Sequence, residues 1–314
     1  MEQTTTTSPA NGANGARPET LSPPDPATER APHLIIRPQS GWQALNLAQV
    51  WQFRDLLTTL AQRDVKLRYR QTALGAAWVI LQPLIGAGIF AFVFGAIADL
   101  PSDGVPYIVF AYAALLCWNL FAGTLNKTSN VLVANTQLVS KVYFPRLVLP
   151  LSTVYSSLID FSVAAVVMAV LMALNGVAPT WGLLLLPVWV AFTLILAVGG
   201  GLYLSALMVS YRDVGTIVPV ALTFLMYASP VAYSTATVLE RIGGKFPPDV
   251  TVWITRAFLA NPMAGLLQAF RWSLIGGQPP IWGSVIYSMI FAIAIFVLGA
   301  FAFRRMEKRF ADVI

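Results

Sequence analysis

The stretch Arg63–Pro83, RDVKLRYRQTALGAAWVILQP, changes character halfway along its length. Its first half is crowded with charged side chains, namely Arg63, Asp64, Lys66, Arg68 and Arg70. Its second half has none, and the uncharged run continues to Ile97. Because a charge at the bilayer centre costs roughly 2.5–3.5 kcal/mol, a chain passing from the cytoplasmic membrane surface into hydrocarbon needs such a switch. The stretch therefore predicts a surface helix that leads into a first membrane span.

The composition of the whole chain fits several such spans. The 314 residues are 57% hydrophobic and 11% charged, whereas soluble domains carry about 25% charged residues. The apolar runs are continuous rather than alternating, which favours helices over a barrel. The net charge of +6 indicates cytoplasmic anchoring residues rather than nucleic-acid binding. We expect an all-α integral membrane protein.

The N-terminal residues 1–39 are rich in Thr, Pro, Ala, Asn and Gly. Such a composition buries too little apolar surface to fold, so we expect a disordered cytoplasmic tail followed by a transmembrane domain over residues 40–314. One histidine, His33, and one cysteine, Cys117, are present. These counts exclude a histidine metal cluster and an intrachain disulfide, and we expect neither a metal nor a bound cofactor in this chain.

The segment Leu47–Arg70 has the spacing of an amphipathic helix lying in the membrane interface. Its apolar side chains share one face: Phe53, Leu56, Leu57, Leu60, Ala61 and Leu67. Asp64 falls on that face and should pair with a nearby Arg or Lys. An ordinary soluble amphipathic helix remains the alternative.

The apolar runs predict six transmembrane helices, and the distribution of Lys and Arg places both termini in the cytoplasm. The predicted spans cover residues 72–97, 107–125, 147–174, 181–209, 214–233 and 281–303. Between spans five and six, residues 254–275 are too polar and too interrupted to cross. One or two short re-entrant or interfacial helices are expected there, outside the cell.

One cytoplasmic segment is a candidate for docking a soluble partner. Residues 126–150 carry an amphipathic stripe that ends in KVYFPR (141–146), where Pro145 should stop the helix; a plain interfacial connector is the alternative. The docking candidates of this segment are Lys141, Val142, Tyr143, Phe144, Pro145 and Arg146. A tight cytoplasmic turn around Arg212 and Asp213 separates spans four and five.

Polar and aromatic side chains within the spans are candidates for a conduit. Asp160 lies in span three, and an intramembrane acid is a functional candidate unless bundle-interior groups satisfy it. Gly199, Gly200 and Gly201 allow either close helix approach or flexing of the span. Aromatic rings can carry the apolar faces of sugars, although most such rings belong to cores or interface belts. The pore-lining candidates are Trp78, Tyr112, Trp118, Tyr155, Asp160, Phe161 and Tyr227.

Catalytic motifs are missing from the sequence. It contains no G-x-x-x-x-G-K-[ST], G-x-S-x-G, H-E-x-x-H or C-x-x-C. A membrane glycosyltransferase should show paired carboxylates near the surface, whereas Asp99, Asp103 and Asp249 are scattered. We therefore expect no enzymatic activity, and any energy from a nucleotide must come from another polypeptide.

Several motifs, taken in order, resemble one family. They are QRDVKLRYRQTALGAAWVILQPL (62–84), LLCWNLFAGTL (115–125), NTQLVSKVYFPRLVLPL (135–151), LIDF (158–161), YRDV (211–214), SPVAY (229–233) and NPMAGLLQAFR (261–271). The chain is similar to the ABC-2 type permease subunits that export polysaccharides, O-antigen and teichoic-acid type polymers across the bacterial inner membrane.

The resemblance implies a homodimer bound to two separate ATP-binding subunits, which would hold ATP and Mg. Residues 126–146 would carry the coupling helix, and residues 47–70 the gate helix. The turn over residues 211–214, with Arg212 and Asp213, would make a second, smaller contact with the partner. The basic residues of the gate helix, Arg63, Lys66, Arg68 and Arg70, would attract the diphosphate of an undecaprenyl-linked glycan. The alternatives are an ABC-2 permease for lipids or drugs and, in another class, a signalling or scaffolding membrane protein.

Overall fold

A computed structural model of the chain describes residues 51–70, 77–142 and 144–313, without the side chains of 68–70, 79 and 308–313. The predicted tail over residues 1–39 lies outside these ranges. The regular elements of the described residues are all helical. They are α1 (Arg54–Arg70), α2 (Ala77–Phe90), α3 (Tyr107–Ala134), α4 (Thr136–Lys141), α5 (Val148–Leu174), α6 (Leu186–Ser210), α7 (Val214–Ala228), α8 (Thr235–Lys245), α9 (Pro248–Leu259), α10 (Pro262–Ile275) and α11 (Trp282–Val313).

Five stretches of the described residues are long and apolar enough to cross a membrane. They are Ile80–Ile97, where a π-helical turn continues α2, then Tyr107–Ala134, Val148–Leu174, Trp181–Ser210 and Trp282–Glu307. Helices α9 and α10 together also pass this test, although they are bent by 72° at their junction. The chain is therefore an all-α membrane protein with five or six spanning helices, as the composition predicts.

The predicted fifth span is shorter than expected. Helix α7 ends at Ala228 instead of Tyr233 and has 15 residues, which is about 22 Å of helix against the roughly 30 Å of a hydrocarbon core. It ends early because Ser229 precedes Pro230, and a residue before proline is disfavoured in the α region. Ser229 is extended, with φ −101° and ψ 153°.

Helix α3 continues beyond the predicted end of span two. It runs to Ala134, because nothing between Leu125 and Asn135 breaks a helix, and the separate docking helix shrinks to α4. That helix ends at Lys141, with Val142 extended at φ −125° and ψ 133°. Pro145 thus does not terminate it.

Helix α3 is the centre of the bundle. It packs against α2, α5, α6 and α10, and Phe110 and Tyr112 are completely buried on it. The helices around α3 form the outer surface of the bundle. Large apolar side chains are exposed there, for example Phe92 in the π-helical continuation of α2, Phe224 on α7 and Leu298 on α11.

Helices α6 and α11 approach each other at backbone contact. A Cβ added to Gly199 would lie 2.5 Å from Phe296 Cα, and one added to Gly299 would collide with the Gly199 carbonyl. On another face of α6, a Cβ on Gly201 would lie 2.6 Å from Thr128 Cβ on α3. The predicted role of the glycine triplet in close packing is confirmed.

Short helices occupy residues 254–275, as predicted: the second half of α9 and the whole of α10 fall in this range, and α8 precedes them. The break between α9 and α10 falls at Ala260–Asn261, where Asn261 caps α10 by accepting from the Met263 amide at 2.9 Å. Its amide nitrogen also donates to Ser229 Oγ at 2.8 Å. Asn261 therefore ties the bent pair to the end of α7.

Candidate functional site

The apolar face of α1 lies against the bundle. Leu60 is 5% exposed and Ala61 is fully buried, while α1 packs along α5. Leu67, which the spacing placed on the same face, is 59% exposed. The tight contact thus lies around Leu60 and Ala61, whereas Val65 and Leu67 border a cavity between α1 and the bundle.

Asp64 has the basic partner that its position predicts. Arg63 Nη2 donates to Asp64 Oδ1 at 2.9 Å, and the same nitrogen donates to Asn135 Oδ1 at 2.6 Å. Because Asn135 directly follows α3, these bonds connect the second half of α1 to the end of the central helix.

A second charged pair connects α3 to α5. Lys127 Nζ donates to Asp160 Oδ2 at 2.7 Å, and also contacts Ser157 Oγ at 3.2 Å and Ser156 Oγ at 3.3 Å. The two charged side chains are 18% and 22% exposed. Asp160 is therefore satisfied within the bundle, by a lysine from the neighbouring helix α3.

The depth of Lys127 explains this pairing. Twenty residues separate it from Tyr107 at the start of α3, which is about 30 Å of helix and thus about one hydrocarbon thickness. A lysine at that depth sits where the bilayer gives way to water. The signal that could have identified the pair was a single basic residue at the end of one span and a single acid in the next.

These two charged pairs line one cavity of about 380 Å³, which we call the inner cavity. Helix α1 forms one wall, and α3 and α5 form the other. Its polar lining residues are Arg63, Asp64, Lys127, Asn130, Asn135, Thr153, Ser156 and Asp160. Such a lining offers donors and acceptors to a ligand rich in hydroxyls. Its two cations, Arg63 and Lys127, are each paired with a carboxylate of the same lining.

The remaining gate-helix candidates are placed differently. Lys66 is exposed on α1 and does not line the inner cavity. The side chains of Arg68 and Arg70 lie outside the described residues. Of the predicted basic set, the structure therefore brings only Arg63 into the cavity.

The docking candidates divide into an exposed and an anchoring group. Lys141, Val142, Arg212 and Asp213 are exposed. Phe144, by contrast, is 5% exposed and belongs to an apolar cluster with Leu60 of α1 and Phe303 of α11. Its ring is therefore not available to a partner.

Two further docking candidates also face the chain itself. Arg146 Nη1 donates to the Glu307 carbonyl at 3.0 Å, and Pro145 is half-buried. Tyr143 lies outside the described residues. The exposed docking surface accordingly consists of Lys141 and Val142 at the end of α4, together with the turn between α6 and α7.

The pore-lining candidates do not form one surface within the chain. Tyr112 and Trp118 are buried in the bundle core, with Tyr112 Oη donating to the Ala164 carbonyl at 3.0 Å. This burial removes both rings from any lining that a passing ligand could touch. Trp78, Tyr155 and Tyr227 are exposed, and half-buried Phe161 packs edge-on against Phe270 with ring centroids 6.1 Å apart.

Comparisons with known proteins agree with this architecture. The family model described as ABC-2 type transporter matches residues 55–275. Similar proteins include an O-antigen export system permease protein RfbA from Myxococcus xanthus, 32% identical over 223 residues, covering 71% of this chain and 81% of that protein. Another RfbA, from Klebsiella pneumoniae, is 27% identical over 266 residues, covering 83% of this chain and 95% of the relative.

Proposed function

Because the chain belongs to the ABC-2 type transporter family, we propose that it is the membrane-spanning permease subunit of an ABC exporter for lipid-linked polysaccharide. The substrate would cross the cytoplasmic membrane outward. Relatives that bear the name of O-antigen export permease support this class of substrate. The observation that carries the proposal is the inner cavity, which lies between α1 and the central helices and is lined by two ion pairs together with hydroxyl and amide groups.

The inner cavity would receive the head of the lipid-linked glycan. Arg63 lines it, and Lys66 lies on the exposed side of the same helix. A diphosphate is attracted by such basic groups, while the hydroxyls of Thr153 and Ser156 match those of a sugar. The substrate proposed here is an undecaprenyl-diphosphate-linked glycan.

The energy would come from two separate ATP-binding subunits that hold ATP and Mg. The sequence itself contains no phosphate-binding Walker loop. The exposed surface of Lys141, Val142, Arg212 and Asp213 would contact these subunits. Phe144 follows that surface directly and shares an apolar cluster with Leu60, so a displacement of the docking segment would reach the gate helix through packed side chains.

The assembly would be a homodimer with both termini in the cytoplasm of each chain. Six crossings result if α7 spans together with α2, α3, α5, α6 and α11, and α8–α10 then lie on the outer side. Helix α7 exposes Ile217, Phe224 and Tyr227, an apolar face that suits lipid or a second copy. The short length of α7 is compatible with local bilayer thinning.

Inverted membrane vesicles test the proposal. Vesicles from cells that carry the chain and its ATP-binding partner would be given radiolabelled lipid-linked glycan and ATP. Protection of the label from an added glycosidase should require ATP and this chain. Equal protection in vesicles without the chain would overturn the proposal, and ATP-dependent movement of lipid alone would favour a lipid permease instead.

A further inference from the structure

A second cavity lies at the opposite end of the bundle from α4. It has a volume of about 150 Å³, and we call it the outer cavity. It is bordered by the loop before α3, the start of α8 and the connection from α10 to α11. Its polar and aromatic lining residues include Asp103, Thr235, Gln268, Arg271, Trp272 and Gln278.

Arg271 lines this cavity with part of its hydrogen-bonding capacity unused. The residue is 4% exposed. Nη2 donates to the carbonyls of Pro230 at 3.1 Å and Tyr233 at 3.3 Å, and Cζ lies 4.1 Å from the Phe110 ring centroid. Nη1 has no hydrogen-bond partner among the described residues. A buried donor left unpaired is costly, so this atom is suited to a ligand.

Thr235 presents a second unpaired group to the same cavity. It is 2% exposed, and its Oγ1 has no partner among the described residues. It is also the first residue of α8, where the backbone amides of the first turn lack intrahelical acceptors. The hydroxyl of Ser234, the N-cap, accepts from Thr237 N at 3.1 Å and also hydrogen-bonds Thr237 Oγ1 at 2.8 Å. Two residues that line the outer cavity, Arg271 and Thr235, thus each carry a buried polar atom without a partner among the described residues.

The balance of charge distinguishes between ligand classes. Asp103, whose charge is opposite to that of Arg271, also lines the cavity, so a simple anion would meet a carboxylate as well as a guanidinium. Hydroxyl groups both donate and accept hydrogen bonds, and they can therefore bind the Asp103 carboxylate, the Arg271 guanidinium and the Gln268 amide. Gln268 uses its Oε1 to accept from Ile281 N at 2.9 Å, which leaves its amide nitrogen to donate.

An aromatic surface completes this set. Trp272 lines the outer cavity, and it is held edge-on against Trp282 with centroids 5.8 Å apart. The indole offers an apolar face, and Leu239 and Ile281 add apolar side chains to a lining that also holds Asp103 and Arg271. A ligand that has hydroxyls at its edges and an apolar face fits this combination.

We propose that the outer cavity binds one saccharide unit, held through its hydroxyls by Arg271 Nη1 and Thr235 Oγ1. The proposal rests on the proposed function only for the biological source of the sugar, the polymer emerging at the outer face. The binding chemistry itself depends on the cavity alone. A sugar held at this point would retain the leading segment of the polymer outside while the inner side resets.

The test is hydrogen exchange of the full chain in nanodiscs, with D-glucose, D-mannose and L-rhamnose as probes. Added sugar should slow exchange in residues 234–239 and 276–281 in a saturable manner. Thr235→Val should raise the sugar concentration that gives half-maximal protection by roughly three- to tenfold, which corresponds to the loss of one neutral hydrogen bond. Stability should be kept, because the lost hydroxyl has no protein partner.

Thr124→Val is the matched control. Thr124 is also completely buried, and its Oγ1 likewise has no partner in the described part of the chain. It lies on α3 and does not line the outer cavity, so its variant should bind like the parent. Sodium phosphate and sodium acetate serve as anion probes. The proposal is overturned if no sugar protects these segments, if the two variants behave alike, or if the anions protect and the sugars do not.

The outcome is separable from that of the proposed function. Vesicle transport without sugar protection at the outer cavity would refute the saccharide site and leave export standing. Sugar protection without transport would do the reverse.

Discussion

Lys127 on α3 and Asp160 on α5 form an ion pair of 2.7 Å on the wall of the inner cavity. The pair fixes the central helix to its neighbour at the depth where hydrocarbon ends, and it keeps two charges beside a space that a ligand can enter. The pair therefore holds two helices together and also borders the inner cavity. Mutation should affect stability through the first role and export through the second.

Removing one partner of this pair should destabilise the chain. Lys127→Met leaves the Asp160 carboxylate without its nearest cation, at an expected cost of about 1–3 kcal/mol. The double variant Lys127→Met/Asp160→Leu should recover most of that stability, because neither charge remains to be compensated. Thermal unfolding in detergent measures this recovery. A double variant that is less stable than both single variants would contradict the assignment.

The stable double variant should nevertheless export less glycan. It removes two polar groups from the inner cavity while leaving the docking surface untouched. Surface glycan per unit of membrane-inserted protein is the appropriate measurement. Normal export from a stable double variant would show that the pair only holds α3 and α5 together.

The bond from Arg63 to Asn135 should hold the second half of α1 in place. Asn135→Ala removes the acceptor that lies 2.6 Å from Arg63 Nη2, so amide exchange in residues 62–67 should accelerate by roughly three- to tenfold. Thr59→Ala is the control, because the Thr59 hydroxyl donates only to the Asp55 carbonyl in its own helix, at 2.7 Å. Equal exchange in the two variants would show that Asn135 does not secure the gate helix.

Docking should depend on exposed side chains and not on Phe144. Val142→Glu and Arg212→Glu should reduce co-purification of the ATP-binding subunit without lowering thermal stability, since both side chains are exposed. Arg241→Glu on α8, at the proposed outer side, is the charge-matched control and should leave co-purification intact. Loss of the partner with Arg241→Glu alone would reverse the proposed topology.

Phe144→Ala should act through stability. The buried ring belongs to the cluster of Leu60 and Phe303, and truncating a buried phenylalanine costs about 3–5 kcal/mol. The expected result is a lowered unfolding temperature before any specific loss of the partner. An unchanged unfolding temperature combined with lost co-purification would instead make Phe144 a docking residue.

The glycine contact between α6 and α11 gives a packing prediction. Gly199→Ala would place Cβ 2.5 Å from Phe296 Cα, so the helices must separate at a cost of about 1–3 kcal/mol. Gly123→Ala in α3 meets nothing within 4 Å and should be neutral or stabilising by about 0.5–1 kcal/mol. Unfolding temperatures of the pair check the difference. A Gly199→Ala variant as stable as Gly123→Ala would mean that the contact is not close in solution.

The helices themselves could be predicted because their signals are local. The charge switch around Arg70, the long apolar runs and the basic residues at their ends follow directly from the cost of burying charge. The need of Asp64 for a basic partner was equally local, since Arg63 is its neighbour. Such features require no knowledge of which helices touch.

The functional surfaces could not be predicted to the same extent, because they depend on packing. The pairing of Lys127 with Asp160 spans 33 residues of sequence, and the pattern gives no rule for which two helices meet. The sequence does not distinguish an aromatic residue of the core from one that lines a conduit. The burial of Tyr112 and Trp118 in the structure assigns both to the core. The outer cavity likewise depends on three segments that are far apart in sequence, since its lining residues lie between Asp103 and Ile281.

Deletion of the gene, followed by localisation of pulse-labelled cell-surface glycan, tests the central claim most directly. The account predicts that finished, lipid-linked polymer accumulates on the inner face of the cytoplasmic membrane, inaccessible to glycosidase added outside, and that the parent gene restores its display. Normal surface display of the labelled polymer in the deletion strain would contradict it.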